Sequence, residues 1–224
     1  MAEGGNNLES SLTKSSSPGV PLKVILLGVK GVGKTTLFRR IFRFLKEDLS
    51  DETCSKIKDS DFTHRITVDD GKTVQMCLWD TAGMEGNRHE ANMTRSYYMG
   101  AQVALLVYSA DDWESVEDLK DYVDEVQNHA PGAKKLLIRN KVDLSTAEQT
   151  VNEKEVDSMF RKLGPSYVPT RKLKTSALTG TGVKTLLNDV GEQLLRQGSM
   201  KTDQRSSFQV YKPEPKPKKQ SSCC

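Results

Sequence analysis

Three runs in this 224-residue chain carry residues whose types and spacing suit phosphate and base chemistry. The first is Gly28-Val29-Lys30-Gly31-Val32-Gly33-Lys34-Thr35, which fits the phosphate-loop pattern of Gly, four residues, then Gly-Lys-Ser/Thr. Its glycines let the backbone curl so that N–H groups converge on phosphate oxygens. The helix expected to follow adds positive potential at its N-terminus. Lys34 would reach the outer phosphates of a nucleotide, and the Thr35 hydroxyl would hold Mg²⁺. Gly28, Lys30, Gly31, Val32, Gly33, Lys34, Thr35 and Thr36 form the candidate cradle. A glycine-rich turn with a chance Lys-Thr is the bland alternative. The apolar run before the motif and the helical pattern after it argue against that.

The second run is Asp80-Thr81-Ala82-Gly83, with Asp80 lying 46 positions after Lys34 at a strand end. A carboxylate there can hold Mg²⁺, directly or through water, opposite Thr35. Gly83 offers a backbone N–H to a terminal phosphate. Alone, Asp-x-x-Gly is a common turn; behind a phosphate loop it gains meaning. The third run is Asn140-Lys141-Val142-Asp143. Asp143 can accept from the N1–H and exocyclic amine of guanine, a donor pair that adenine lacks. Lys141 can lay its stem over the base, and Asn140 can tie the nucleotide loops together. Ser176-Ala177-Leu178 would supply a backbone N–H to the guanine carbonyl. An ordinary polar loop is the competing reading of these residues.

Hydropathy patterning supplies elements to position these runs. Leu22–Leu27 reads as a buried strand and Thr36 to about Leu45 as a helix. Phe62–Val68 and Thr73–Trp79 read as a hairpin around Asp69-Asp70-Gly71-Lys72. A polar stretch to Arg95 is expected to hold a loop and a helix. Then come a strand at Val103–Tyr108, a helix from about Trp113 to Asn128, and a strand at Lys135–Arg139. A helix at Glu153–Leu163, a weaker strand at Arg171–Lys174 and a last helix from about Gly182 to Arg196 complete the pattern. One hairpin followed by strand–helix alternation predicts an α/β fold. The expected architecture is a P-loop NTPase with a six-stranded, mostly parallel sheet, one antiparallel edge strand, and helices on both faces. Ligands bind such sheets at the carboxyl ends of the strands, where all three runs fall.

Composition bounds the rest. Residues 1–20 are Gly-, Asn- and Ser-rich and read as a disordered leader; residues 21–197 read as the folded domain. Residues 198–224 read as a flexible basic tail with prolines, ending in Cys223-Cys224. Net charge is +3, and the segment from Arg196 onward carries seven Lys/Arg against two Asp/Glu. The remainder is therefore slightly acidic, which gives no signal for nucleic acid. Cysteine spacing suggests neither zinc nor a disulfide framework, and a reducing cytosolic setting is expected. No stretch is long and apolar enough to span a bilayer.

The motifs, in this order and spacing, resemble the Ras-like small GTPases over about residues 20–197, and within them the chain looks most like a Rab. Leu78-Trp79-Asp80-Thr81-Ala82-Gly83, Tyr97-Tyr98-Met99-Gly100-Ala101, Leu106-Val107-Tyr108-Ser109 and the terminal Cys223-Cys224 carry the closer match. The resemblance implies GTP/GDP and Mg²⁺ as ligands. It implies effectors, an exchange factor, an activating protein and an escort as partners. It also implies geranylgeranyl groups on Cys223 and Cys224, anchoring the chain to the cytosolic face of an endomembrane or the plasma membrane. The Lys216, Lys218 and Lys219 cluster would add attraction to an anionic leaflet.

Three positions depart from the family pattern. Met84 stands where relatives carry the glutamine that orients the attacking water; Glu85, beside it, is the alternative candidate. Lys30 replaces a small residue near where the γ-phosphate would lie. The switch threonine that would join Mg²⁺ falls on Thr53 when counted forward from Thr35, whereas counting back from Phe62 gives Ile57. The expected function is a membrane-anchored guanine-nucleotide switch in vesicle traffic that hydrolyses GTP slowly, with Lys34 and Glu85 as the catalytic candidates. The alternative is a hydrolysis-deficient GTP-bound scaffold. Asn140-Lys141-Val142-Asp143 argues against a third reading, a P-loop kinase or ATPase.

Overall fold

A computed structural model describes residues 20–46, 61–81 and 91–201. The strands are β1 (Leu22–Leu27), β2 (Asp61–Thr67), β3 (Thr73–Asp80), β4 (Ala101–Ser109), β5 (Lys134–Asn140) and β6 (Arg171–Lys174). The helices among the described residues are α1 (Lys34–Leu45), α2 (Ala91–Tyr98), α3 (Glu114–Glu117), α4 (Leu119–His129), α5 (Glu153–Leu163) and α6 (Val183–Lys201). The sheet order is β2-β3-β1-β4-β5-β6, with β2 antiparallel at one edge and every other pairing parallel. This is the expected α/β architecture.

Side-chain alternation along the central strands builds two cores. Val24 and Leu26 of β1 face one side, where α1 and α6 supply Leu37, Phe38, Ile41, Val183, Leu186 and Val190. Ile25 and Leu27 face the other side, against Tyr98, Leu119, Val123, Val126, Val156 and Phe160 of α2, α4 and α5. Every residue of β4 is buried, as expected of a central strand covered on both faces.

Several element ends differ from the sequence expectation by a residue or two, and three differences stand out. The helix expected from Trp113 to Asn128 is divided into α3 and α4 at Asp118. A tightened turn there, with Asp121 N–H donating to Asp118 O at 3.2 Å, breaks the regular helical ladder. The apolar phase survives, and Val116, Leu119, Val123 and Val126 are all fully buried. Strand β3 extends through Asp80, which pairs with Leu26 of β1. The last helix continues past Arg196 to Lys201.

Parallel register brings the motif residues to one edge. Leu26 lies opposite Asp80 on one side, and Ser109 at the end of β4 lies opposite Asn140 at the end of β5. The phosphate loop leaves β1 between them.

Candidate functional site

The phosphate loop is shaped by two close approaches. Gly28 has φ 144, and a Cβ there would sit 2.2 Å from the Val107 carbonyl oxygen. Gly33 has φ 94, and its Cβ would sit 2.5 Å from Asn140 Nδ2. Glycine is therefore required at both ends of the curl, for backbone conformation and for contact alike. Lys34 begins α1 and is 4% exposed. Its ammonium donates to the Val29 carbonyl at 2.8 Å, which folds the side chain back across the loop it leaves. Thr35 is half-buried at the same helix start, while Lys30 is exposed at the loop's tip.

Asp80 is buried at the end of β3. The next residue is fixed too, because the Thr81 hydroxyl donates to the Leu26 carbonyl at 2.5 Å. That bond holds the chain after Asp80 against the strand that leads into the phosphate loop.

Asn140 joins three segments. Its Nδ2 donates to the Val32 carbonyl at 2.8 Å, while its Oδ1 accepts from the Thr175 hydroxyl and the Ala177 N–H, each at 3.1 Å. The side chain is 1% exposed, so all three bonds are made away from water. This is the tie between loops expected of it. Asp143 is exposed, and one carboxylate oxygen accepts from the Ser176 hydroxyl at 2.5 Å. That fixes the carboxylate while leaving it acceptor capacity toward a ligand. Ser176 and Ala177 commit their N–H groups inside the protein, to the Thr181 carbonyl and to Asn140. The third of the expected trio, Leu178, is 68% exposed. Lys141 is the one non-glycine with positive φ among the described residues, at 62°.

Sequence reasoning missed two residues of this neighbourhood. Arg40, one turn and a half along α1 from Lys34, donates through Nε to the Ala177 carbonyl at 2.9 Å and through its second nitrogen to the Leu178 carbonyl. Thr81 stands in the sequence only as part of its motif. An Arg on a helix reads as a solvated charge, and no local pattern announces a carbonyl 137 residues away.

The donor set fits a nucleotide with its cation. A glycine-lined curl, a buried lysine inside it, and a carboxylate and a hydroxyl at the adjoining strand and helix ends suit phosphates and Mg²⁺. Thr53, Ile57, Gly83, Met84, Glu85, Cys223 and Cys224 lie outside the described residues.

The sequence model described as "Ras family" matches residues 23–196. The chain is 37% identical over 163 residues to Ras-related protein Rab-1D of Dictyostelium discoideum, covering 72% of this chain and 74% of that one. It is 30% identical over 221 residues to human Ras-related protein Rab-37, covering 98% and 93%. It is 33% identical over 205 residues to Ras-related protein RIC1 of Oryza sativa subsp. japonica, covering 90% and 95%.

Proposed function

The chain belongs to the Ras family as a Rab-type small GTPase, and on that premise we propose that it is a membrane-anchored guanine-nucleotide switch of intracellular vesicle traffic. The observation that carries base recognition is the Asn140 junction, which locks the phosphate loop to the loop bearing Ala177, beside the outward Asp143 carboxylate. Asp143 accepts from the guanine N1–H and amine, Lys141 covers the base, and the Leu178 N–H faces the guanine carbonyl. The N–H groups of the curl from Gly28 to Thr35, together with Thr36, hold the phosphates.

Hydrolysis is attack of water on the γ-phosphate of GTP. Lys34 places positive charge on the outer phosphates, where negative charge grows as the bond to the leaving GDP breaks. Thr35 and Asp80, with Thr53, would hold Mg²⁺, which when bound neutralises phosphate charge. Gly83 offers its N–H to the γ-phosphate. Glu85 is the polar side chain nearest in sequence to the water-orienting position, because the Met84 thioether cannot orient water. Turnover is accordingly slow. Ordering of the two switch loops by the γ-phosphate, and their release on hydrolysis, is the signal read by effectors, exchange factor, activating protein and escort. Geranylgeranyl groups on Cys223 and Cys224 hold the protein on the cytosolic face of an endomembrane or the plasma membrane.

Asp143→Asn tests the base assignment, because an amide donates where the carboxylate accepted. The expected result is a shift of preference from GTP toward xanthosine triphosphate; unaltered GTP affinity refutes the assignment. Single-turnover hydrolysis of bound GTP tests the rate. Met84→Gln should accelerate it, and a brisk wild type unaffected by the substitution would rule out slow turnover. The second reading, a hydrolysis-deficient GTP-bound scaffold, is favoured by Met84 together with the exposed Lys30 and predicts barely any phosphate release. Persistent membrane pelleting of a Cys223→Ser, Cys224→Ser variant excludes the lipid anchor.

A further inference from the structure

Lys141 has a partner outside every motif. Its left-handed backbone is strained for a residue with a Cβ, so its surroundings impose the position. Its ammonium lies 3.5 Å from Asp111 Oδ1, and the two side chains are 35% and 36% exposed. Asp111 belongs to the turn that leaves β4, thirty residues earlier in the chain.

That turn is pinned from several sides. The Ala110 N–H donates to the Asn140 carbonyl at 3.0 Å, and the Ala110 carbonyl accepts from the Val151 N–H at 3.0 Å. The Asp111 carbonyl accepts from the Thr150 hydroxyl at 3.0 Å. The Ser109 hydroxyl donates to the same Oδ1 that faces Lys141. Beyond it, the Asp112 carboxylate accepts from the Ser115 N–H, and the Asp112 carbonyl accepts from the Ser115 hydroxyl. Burial by itself would raise the Asp111 carboxyl, but the Ser109 hydroxyl, its own backbone N–H and the Lys141 ammonium together hold it below the ordinary carboxylate value. The carboxylate is therefore a charged, fixed post. Lysine, by contrast, carries its charge on a flexible four-carbon stem that samples many rotamers unless anchored.

We propose that Asp111 is a positioning residue for nucleotide retention: it anchors the Lys141 ammonium so that the lysine stem stays over the base, and thereby slows release of the guanine nucleotide. The inference rests on the guanine-nucleotide reading of the site. Asp111 touches no nucleotide; it acts through Lys141. The pair is partly solvated, so the expected effect is modest, about two- to fivefold in release rate.

The test is release of fluorescent N-methylanthraniloyl-GDP from the full-length protein, chased with excess GDP. Asp111→Ala should release the probe about two- to fivefold faster than wild type. Asp111→Asn keeps an acceptor for Ser109 but no charge, and should fall between the two; it carries the test should the alanine variant not fold. In a Lys141→Met background, Asp111→Ala should add no further acceleration. A purely structural role for Asp111 would accelerate release in both backgrounds alike, and that result, or release at the wild-type rate, overturns the inference alone. A wild type that retains no GDP probe overturns the guanine-nucleotide reading and the inference together.

Discussion

Replacing Asn140 with alanine removes the donor to Val32 O and the acceptor of Thr175 Oγ1 and the Ala177 N–H. A net intramolecular hydrogen bond is worth about 1 kcal/mol, and a buried group left without a partner costs about 1–3 kcal/mol. The Thr175 hydroxyl can rotate to another acceptor, whereas the Val32 carbonyl and the Ala177 N–H are fixed backbone groups. Two stranded groups at that rate cost about 2–6 kcal/mol, reduced where water enters the vacated space, so about 3 kcal/mol is expected. For a domain of this size that is a fall of about 6–12 °C in Tm. If the loss falls wholly on the nucleotide-competent arrangement of the two loops, GDP affinity drops by roughly 150-fold. Asn140→Asp separates the contributions. It keeps acceptors for Thr175 and Ala177 but sets an oxygen against the Val32 carbonyl, so its damage should concentrate in the phosphate loop. Thermal unfolding with and without GDP, together with GDP release rates, measures both quantities. An alanine variant within 2 °C of wild-type Tm (roughly 1 kcal/mol or less) and within about threefold in GDP release would refute the view that Asn140 couples the loops.

Two further predictions rest on separate contacts. Gly28→Ala forces a methyl to 2.2 Å from the Val107 carbonyl oxygen at φ 144, so soluble yield or nucleotide retention should collapse; Gly31→Ala, where a Cβ meets nothing within 4 Å, should cost only backbone strain of about 1–2 kcal/mol. Equal tolerance of both, scored by bound nucleotide after purification, would refute the packing argument. Lys23 lies with its ammonium 4.1 Å from the Trp79 ring centroid and donates to the Ser96 and Met99 carbonyls at the end of α2. Burial lowers its pKa from 10.5 to about 8, against the opposing charges of Cys77 and Asp61. Between about pH 8 and 10.5 the unfolded chain therefore binds the extra proton, and stability contributed by this group rises with pH across that window. Urea unfolding should show wild type gaining on Lys23→Met over that range, by an amount diminished by the partial solvation of the amine; parallel curves would contradict the assignment.

The order of elements was legible because period-2 and period-3.6 patterns, closed by Gly, Pro and Asp, are local properties of the chain. The glycine loop, Asp80, Asn140 and Asp143 stood out as candidates for a related reason: they sit in short motifs of telling residue types at strand ends. The division of a helix at Asp118 was not, since the apolar phase runs unbroken through it and only backbone geometry marks the tightened turn. Lys30 could be placed near the phosphates from its position in the motif, yet its exposure depended on how the loop curls.

By itself the sequence determined the α/β class and the family, and it marked the residues that the proposed function assigns to phosphate and base. Tertiary structure decided how those residues are held. Register between β1, β3, β4 and β5 sets Gly33 against Asn140, Thr81 on the Leu26 carbonyl and Asp111 beside Lys141, and the placement of α1 sets Arg40 on the carbonyls of Ala177 and Leu178 beyond β6. These contacts join segments 30 to 138 residues apart. No spacing rule along the chain encodes them, because each depends on where folding brings distant segments together.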